Sequence, residues 1–133
     1  MSEVKKLEIA HEDPRGIIMD IFSSEPKDHG ALITFNKGAQ RANHYHKKSI
    51  QYTFLVSGSL VMRTSDVSKD GTLSEVFKEI VMEPYMLVKH DPYEAHAFKA
   101  ETNSTILAFA CGLRGGEDYE KDVYRLIKNM FEM

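Results

Sequence analysis

An all-β fold, a small barrel or sandwich, is what this sequence predicts, and three observations carry that reading. Short apolar runs rich in β-branched and aromatic residues recur at 16–22, 31–35, 52–56, 59–64, 75–82, 85–88 and 104–111. Breakers of the right kind separate them: Lys37-Gly38, Ser57-Gly58-Ser59, Lys69-Asp70-Gly71 and Asp91-Pro92. Many short strands at such spacing build a closed or double-layered sheet, because each half-apolar strand must bury one face against another layer.

Taken in chain order, GIIMDIF (16–22) and ALITF (31–35) read as the first strands. YTFLV and SLVMRT flank Ser57-Gly58, which predicts a tight hairpin because glycine accepts positive φ without steric cost. Asp70-Gly71 predicts a second hairpin leading into EVFKEIVM, followed by YMLV and STILAFAC. After Gly115-Gly116 the pattern changes: Val123, Leu126, Ile127, Met130 and Phe131 recur at helical spacing, which predicts one short amphipathic C-terminal helix. At 133 residues and 42% hydrophobic the chain suits one domain, 1–133, with its own core and no internal repeat.

Composition excludes several functions. A net charge of −3 provides no broad basic field for a nucleic-acid backbone. No apolar run approaches the roughly 20 residues that span a bilayer, and the start MSEVKKLEIAHED carries no hydrophobic leader, so no membrane partner and a cytoplasmic location are expected. Cys111 is the only cysteine, so neither an internal disulfide nor a thiolate metal cluster can form; in TILAFAC it reads as a buried small hydrophobe.

Chemistry concentrates in the histidines. His44 and His46 stand in NHYHKK, His90 and His96 in KHDPYEAH, whereas His11 and His29 lie outside any motif and read as structural or solvent-facing. On a strand, side chains two apart share a face, so His44 and His46 project together as half of a metal site or an acid/base pair. An isolated HxH is also compatible with a solvated strand; the wider string argues otherwise. GAQRANHYHKKSIQYTFLVSG resembles the first cupin motif, with Gly38, His44, His46, Gln51 and Gly58 at its marked positions, and PYEAHAF resembles the second, supplying His96. The resemblance implies a cupin double-stranded β-helix, a jelly-roll barrel with its site inside.

Gln51 stands where most cupins have glutamate. A neutral amide brings no charge to offset desolvation of a hard cation. His44, His46, Gln51 and His96 are thus candidate ligands for Zn, Ni or Fe, or equally a metal-free polar cluster.

More narrowly, Arg15-Gly16, Arg41, HYHKKSIQ, PYMLVKHDPYEAHAF and GGEDYEKDVYRL make the chain similar to the sugar-nucleotide ketoisomerase and epimerase cupins. Those are the dTDP-4-keto-6-deoxyglucose 3,4-ketoisomerases and the dTDP-4-dehydrorhamnose epimerases. Asn43 stands where an aromatic is common in them and Ala95 where tryptophan is expected. The resemblance implies an isomerase or epimerase of a nucleotide-linked 4-keto sugar that requires no cofactor. It implies His44 and His46 as the acid/base pair, with Tyr52 and His96 assisting. Arg41 would bind the diphosphate, and Lys47, Gln51 and His90 would line the substrate.

Each residue also has a plainer reading: Arg41 and Lys47-Lys48 as solvated charges, Tyr52 as packing, His90 as an exposed turn residue or else a partner supporting another side chain of the site. A metal-dependent oxygenase-type cupin and a non-catalytic sugar- or small-ligand-binding cupin are the alternatives. A homodimer is expected, since pairing removes exposed strand edges.

Overall fold

The computed structural model describes residues 3–22, 27–111 and 121–133. Its strands are β1 (Glu3–Lys6), β2 (His11–Asp13), β3 (Gly16–Ile18), β4 (His29–Phe35), β5 (Gln40–Tyr45) and β6 (Ile50–Ser57). They continue with β7 (Leu60–Asp66), β8 (Lys78–Met82), β9 (Met86–His90), β10 (Glu94–Ala100), β11 (Ser104–Cys111) and β12 (Tyr124–Arg125). Two five-stranded antiparallel sheets, β1-β9-β6-β11-β4 and β12-β5-β10-β7-β8, face each other, and β2-β3 forms a separate two-stranded ribbon. This interleaved order is the predicted jelly roll. No helix of the described residues is long and apolar enough to cross a membrane.

Binary patterning explains the closure. Along β11 the side chains of Ser104, Ile106, Ala108 and Ala110 are buried while their neighbours are half-exposed, the period-two alternation of a strand with one face on a core. Phe35, Leu55, Leu60, Met62, Met82, Val88, Phe98, Ala100 and Ile106 interlock between the sheets as the main core. Inward positions change character along each strand: Leu55 gives way to Thr53 and Gln51 on β6, Val88 to His90 on β9, and Phe98 to His96 on β10. One half of the barrel interior is therefore apolar and the other half is polar.

Three expectations need correction. Residues 57–60 do not join a paired hairpin. β6 ladders with β9 and β11 and β7 with β8 and β10, so Gly58 turns a corner between the sheets, where Ser59 N donates to Ser104 Oγ (3.1 Å) and Glu101 N to Ser59 O (2.9 Å). The Asp70-Gly71 turn does close a hairpin between β7 and β8, with Val67 bridged to Leu73.

The second correction concerns the C-terminus, where the amphipathic helix is reduced to one 3₁₀ turn at Met130–Glu132. Tyr124 and Arg125 instead extend the second sheet by pairing with Tyr45 and His44. The residues that looked like a helical stripe pack differently: Met130 is wholly buried with Tyr45, Val67, Ala95 and Ala97 on the outer face of that sheet, Leu126 and Phe131 flank it, and Ile127 is fully exposed. A strand edge that needed a partner outweighed a short stretch of helical periodicity. Third, the run at 16–22 is a strand only at Gly16–Ile18, and Cys111 is half-buried. Gly115-Gly116 lies outside the described residues.

Candidate functional site

The polar half of the barrel holds four imidazoles in contact. His44 and His46 enter from β5 and the turn that follows it, His96 from the facing β10 and His90 from β9 of the other sheet. Ring centroids lie 4.8 Å apart for His44–His96, 4.9 Å for His44–His46 and 4.1 Å for the stacked His90–His96 pair. The ligand nitrogens of His44, His46 and His96 fall within 4.8 Å of one another.

A cavity of about 270 Å³ opens beside this cluster between β4 and β5. Its walls include His44, Gln51, Arg41, His29 and Phe98, with Ala31, Ala108 and Ala110 leaving the room. Arg41 is held at the mouth: its Nε donates to Thr34 O (3.1 Å) and its guanidinium lies 5.5 Å from the Phe35 ring centroid. Its planar guanidinium has the fork geometry that suits bidentate recognition of phosphate oxygens.

His46 sits behind His44, with both ring nitrogens engaged. Its Nδ1 lies 2.9 Å from Asp122 O and its Nε2 2.9 Å from Gln51 Oε1. A carbonyl oxygen only accepts, so Nδ1 carries hydrogen toward Asp122, and Nε2 either carries hydrogen toward Gln51 Oε1 or accepts from the Gln51 NH₂ when the amide is turned. When Nε2 is a lone pair, the Gln51 carboxamide can meet it with its NH₂; when it is protonated, with its oxygen. A glutamate here would favour the charged ring alone.

Asp122 was not singled out in the sequence. It lies 76 positions from His46, and no local pattern marks it. Its carboxylate accepts from the backbone N–H of Lys47 (3.0 Å), Lys48 (3.0 Å) and Ser49 (2.8 Å) and from Ser49 Oγ (2.8 Å). Burial works against its ionisation, but these donors outweigh burial and hold the carboxyl below its usual range.

Burial dominates the titration of the other rings. It pushes His44 down from 6.5 to about 3, helped by the neighbouring His46 and Arg125. His90 falls to about 3 for the same first reason, with His46 and His44 adding to it, and His96 lies well below its ordinary value. All three rings are therefore neutral at pH 7. His44 Nε2, His90 Nδ1 and His96 Nε2 are shielded and make no hydrogen bond among the described residues. An unpaired polar atom in such a place carries a desolvation cost of roughly 1–3 kcal/mol; of the three rings only His44 lines the cavity, and His90 Nδ1 faces Glu94 Oε1 at 3.9 Å.

The structure brings His44, His46, Gln51, His96 and Arg41 together, and sets apart three other expected residues. Tyr52 follows Gln51 on β6 and so points to the opposite side of the sheet, where its ring meets Phe22 at 5.0 Å with Lys27 above it. Lys47 swings its ammonium over the Tyr124 ring at 4.2 Å, contributing to the site only through its backbone. His90, read as an exposed turn residue, is wholly buried: it bonds Thr53 Oγ1 (3.0 Å) and backs His96 without lining the cavity. His29 was set aside, yet it lines the cavity; its parity with Ala31, Ile33 and Phe35 was the available signal.

No family model matches the chain, and no curated protein matches its sequence. Solved structures do. The sugar 3,4-ketoisomerase QdtA from Thermoanaerobacterium thermosaccharolyticum, in complex with TDP, superposes with a TM-score of 0.75 at 20% identity, covering 95% of this chain and 88% of that one. The dTDP-4-dehydrorhamnose 3,5-epimerase from Sulfolobus tokodaii gives 0.74 at 18%, covering 92% and 74%. ChmJ, a 3'-monoepimerase from Streptomyces bikiniensis in complex with dTDP-quinovose, gives 0.78 at 18%, covering 94% and 69%. The chain has the cupin fold. Within this fold the site is a neutral imidazole cluster with an arginine beside its cavity.

Proposed function

We propose that this cupin isomerises or epimerises a nucleotide-linked 4-keto sugar by histidine-mediated proton transfer. The observation that carries the reading is His44: a neutral imidazole that lines a cavity beside Arg41 and whose Nε2 has no hydrogen-bond partner among the described residues. The carbon next to a ketone is acidic enough for an imidazole to take its proton. The C–H electron pair then forms the enediol as the carbonyl oxygen gains a proton. His44 Nε2, its proton exchanged with solvent, protonates the adjacent carbon as the neighbouring hydroxyl gives up its own proton, which moves the ketone, whereas inversion of the first centre takes its proton from water on the opposite face. Atoms and electrons balance with no oxidant, and the net result is a moved ketone or an inverted centre. His46 and Gln51 support the transient charge, because the amide can turn to follow the proton. The cavity is at the small end of ligand pockets, which run from about 300 Å³, so it suits the sugar ring with the diphosphate on Arg41 outside. The solved neighbours that hold TDP or a TDP-sugar support that choice of substrate class.

The test is solvent exchange. With dTDP-4-keto-6-deoxyglucose in deuterated water, NMR should show deuterium entering a carbon beside the ketone. His44→Asn should slow it at least about 100-fold. No exchange by the unmodified protein, on either dTDP- or UDP-linked 4-keto sugars, overturns the proposal.

One observation favours a second reading, a metal-dependent cupin enzyme. Bare Nε2 atoms on His44 and His96 converge with His46. The set is only partly suited to an ion, since His46 has both nitrogens engaged and Gln51 adds no charge. Elemental analysis after expression with added Zn, Ni or Fe decides: one ion per chain supports this reading, and none opposes it. A homodimer completes the proposal, supported by Leu32, 67% exposed on the outer face of the edge strand β4; light scattering measures it.

A further inference from the structure

Arg41 and His44 are three residues apart on one strand, and an unbroken strand would turn them to opposite faces. Both nevertheless face the cavity. The register shows how: His44 pairs with His96 but Ala42 pairs with Ala97, so Asn43 is an extra residue in β5, a one-residue bulge. On its near side Arg41 now pairs with Phe98, whose side chain points inward, and Gln40 with the outward Lys99.

The bulge is built without glycine. Ala42 and Asn43 take φ of 68° and 60°, a conformation that costs side-chain-bearing residues energy and that surrounding contacts must hold. Those contacts come from the C-terminal segment. Leu126 N donates to Asn43 O (3.0 Å), Asn43 Nδ2 to Lys128 O (3.1 Å) and Met130 N to Asn43 Oδ1 (2.9 Å), so both ends of the side chain and the backbone carbonyl are tied. Asn129 adds a bond from its Nδ2 to Gln40 Oε1 (2.6 Å) and accepts from Phe131 N (2.8 Å). The segment is itself anchored by wholly buried Met130 and by Arg63 Nη1 donating to Met130 O (2.8 Å).

We infer that residues 124–132 act as a clasp that locks the Asn43 bulge, and that Asn43 is a positioning residue setting Arg41 and His44 on one face of the cavity. This rests on the keto-sugar reading for its consequence in turnover, but not for its geometry. Asn43 touches no substrate; it fixes the distance between the group that grips the phosphate and the group that moves the proton.

Asn43→Gly tests it, since glycine accepts the backbone angle and removes only the side-chain ties. The expected result is a folded protein whose His44 ring signals in ¹⁵N-edited NMR shift or broaden while those of His90 stay in place. With the keto-sugar substrate, kcat should fall roughly 10- to 100-fold at little-changed KM. Asn43→Asp, which keeps the acceptor for Met130 N, should restore most of the loss. An Asn43→Gly protein with unmodified His44 signals and unmodified kcat overturns the clasp. If the unmodified protein turns over no keto sugar, the functional proposal falls, and the ring signals alone still decide this one. Should Asn43→Gly not fold, Asn129→Ala loosens the same clasp from its exposed side and is read by the same signals, with unchanged His44 again overturning it.

Discussion

Acid should unfold this protein well above the pH at which its carboxylates are lost, because three buried histidines refuse protons that the unfolded chain accepts. His44 and His90 are depressed from 6.5 to about 3 and His96 well below its ordinary value. Below pH 6.5 the unfolded chain therefore binds more protons than the folded one, and stability falls with pH until the folded rings titrate near 3. At pH 5 each ring held near 3 costs about 2 kcal/mol relative to pH 7, so His44 and His90 together remove about 4 kcal/mol, and His96 adds to the loss in the same direction. Against a typical total of about 5–15 kcal/mol that is a large share. With an unfolding entropy of roughly 2 cal/mol/K per residue, a 4 kcal/mol loss lowers Tm by about 15 °C.

Asp13, Asp70 and Asp122 all have lowered carboxyl values, so the stability they contribute is present above about pH 4 and is lost only as pH falls below it, which leaves the window between pH 7 and 5 to the histidines. Thermal unfolding followed by circular dichroism at pH 7, 6 and 5 measures the effect. His90→Gln should flatten the slope by about a third. A Tm that changes by less than about 4 °C over that range refutes the picture of neutral, desolvated rings.

Gly58→Ala should cost about 3 kcal/mol or more in urea unfolding. The new Cβ would sit at a φ of 98° against Ser104 Oγ and 2.6 Å from both Asn103 O and Ser104 Cα; a loss under about 1 kcal/mol counts against the corner as described. Met130→Ala, at a site with no exposure, should cost about 2–4 kcal/mol, whereas Ile127→Ala at a fully exposed one should change Tm by no more than a degree or two. Tyr52→Phe should leave exchange rates within about twofold, because the hydroxyl is on the far side of β6 from the histidines; a loss of 100-fold would restore Tyr52 to the chemistry.

Local rules were enough for much of this molecule. Short alternating strands and turn residues made the barrel legible, since a strand's period of two and glycine's backbone freedom act over a few residues. The same parity placed His44 with His46, and the histidine spacing with Gln51 marked residues that gather in the polar half of the barrel. The family resemblance put Tyr52 with the site, whereas parity, which gives the inward face to Gln51 beside it, puts Tyr52 on the other side of the strand.

What only the tertiary structure decided depends on residues far apart in the chain. The helical spacing of 123–131 was real but yielded to an unpaired edge on β5 and to a hydrophobic patch outside the second sheet, neither visible in a local window. His90 is buried because β9 is laid beside β6, which no turn signal at Asp91-Pro92 announces. Asp122 holds the loop after His46, and the tail holds Asn43, across more than 70 and more than 80 positions. The sequence by itself determined the kind of scaffold and which histidines and amide gather inside it. Their final aim was decided by long-range hydrogen bonds and by one extra residue in β5, because a bulge reverses strand parity and only the partner strand reveals that it is there.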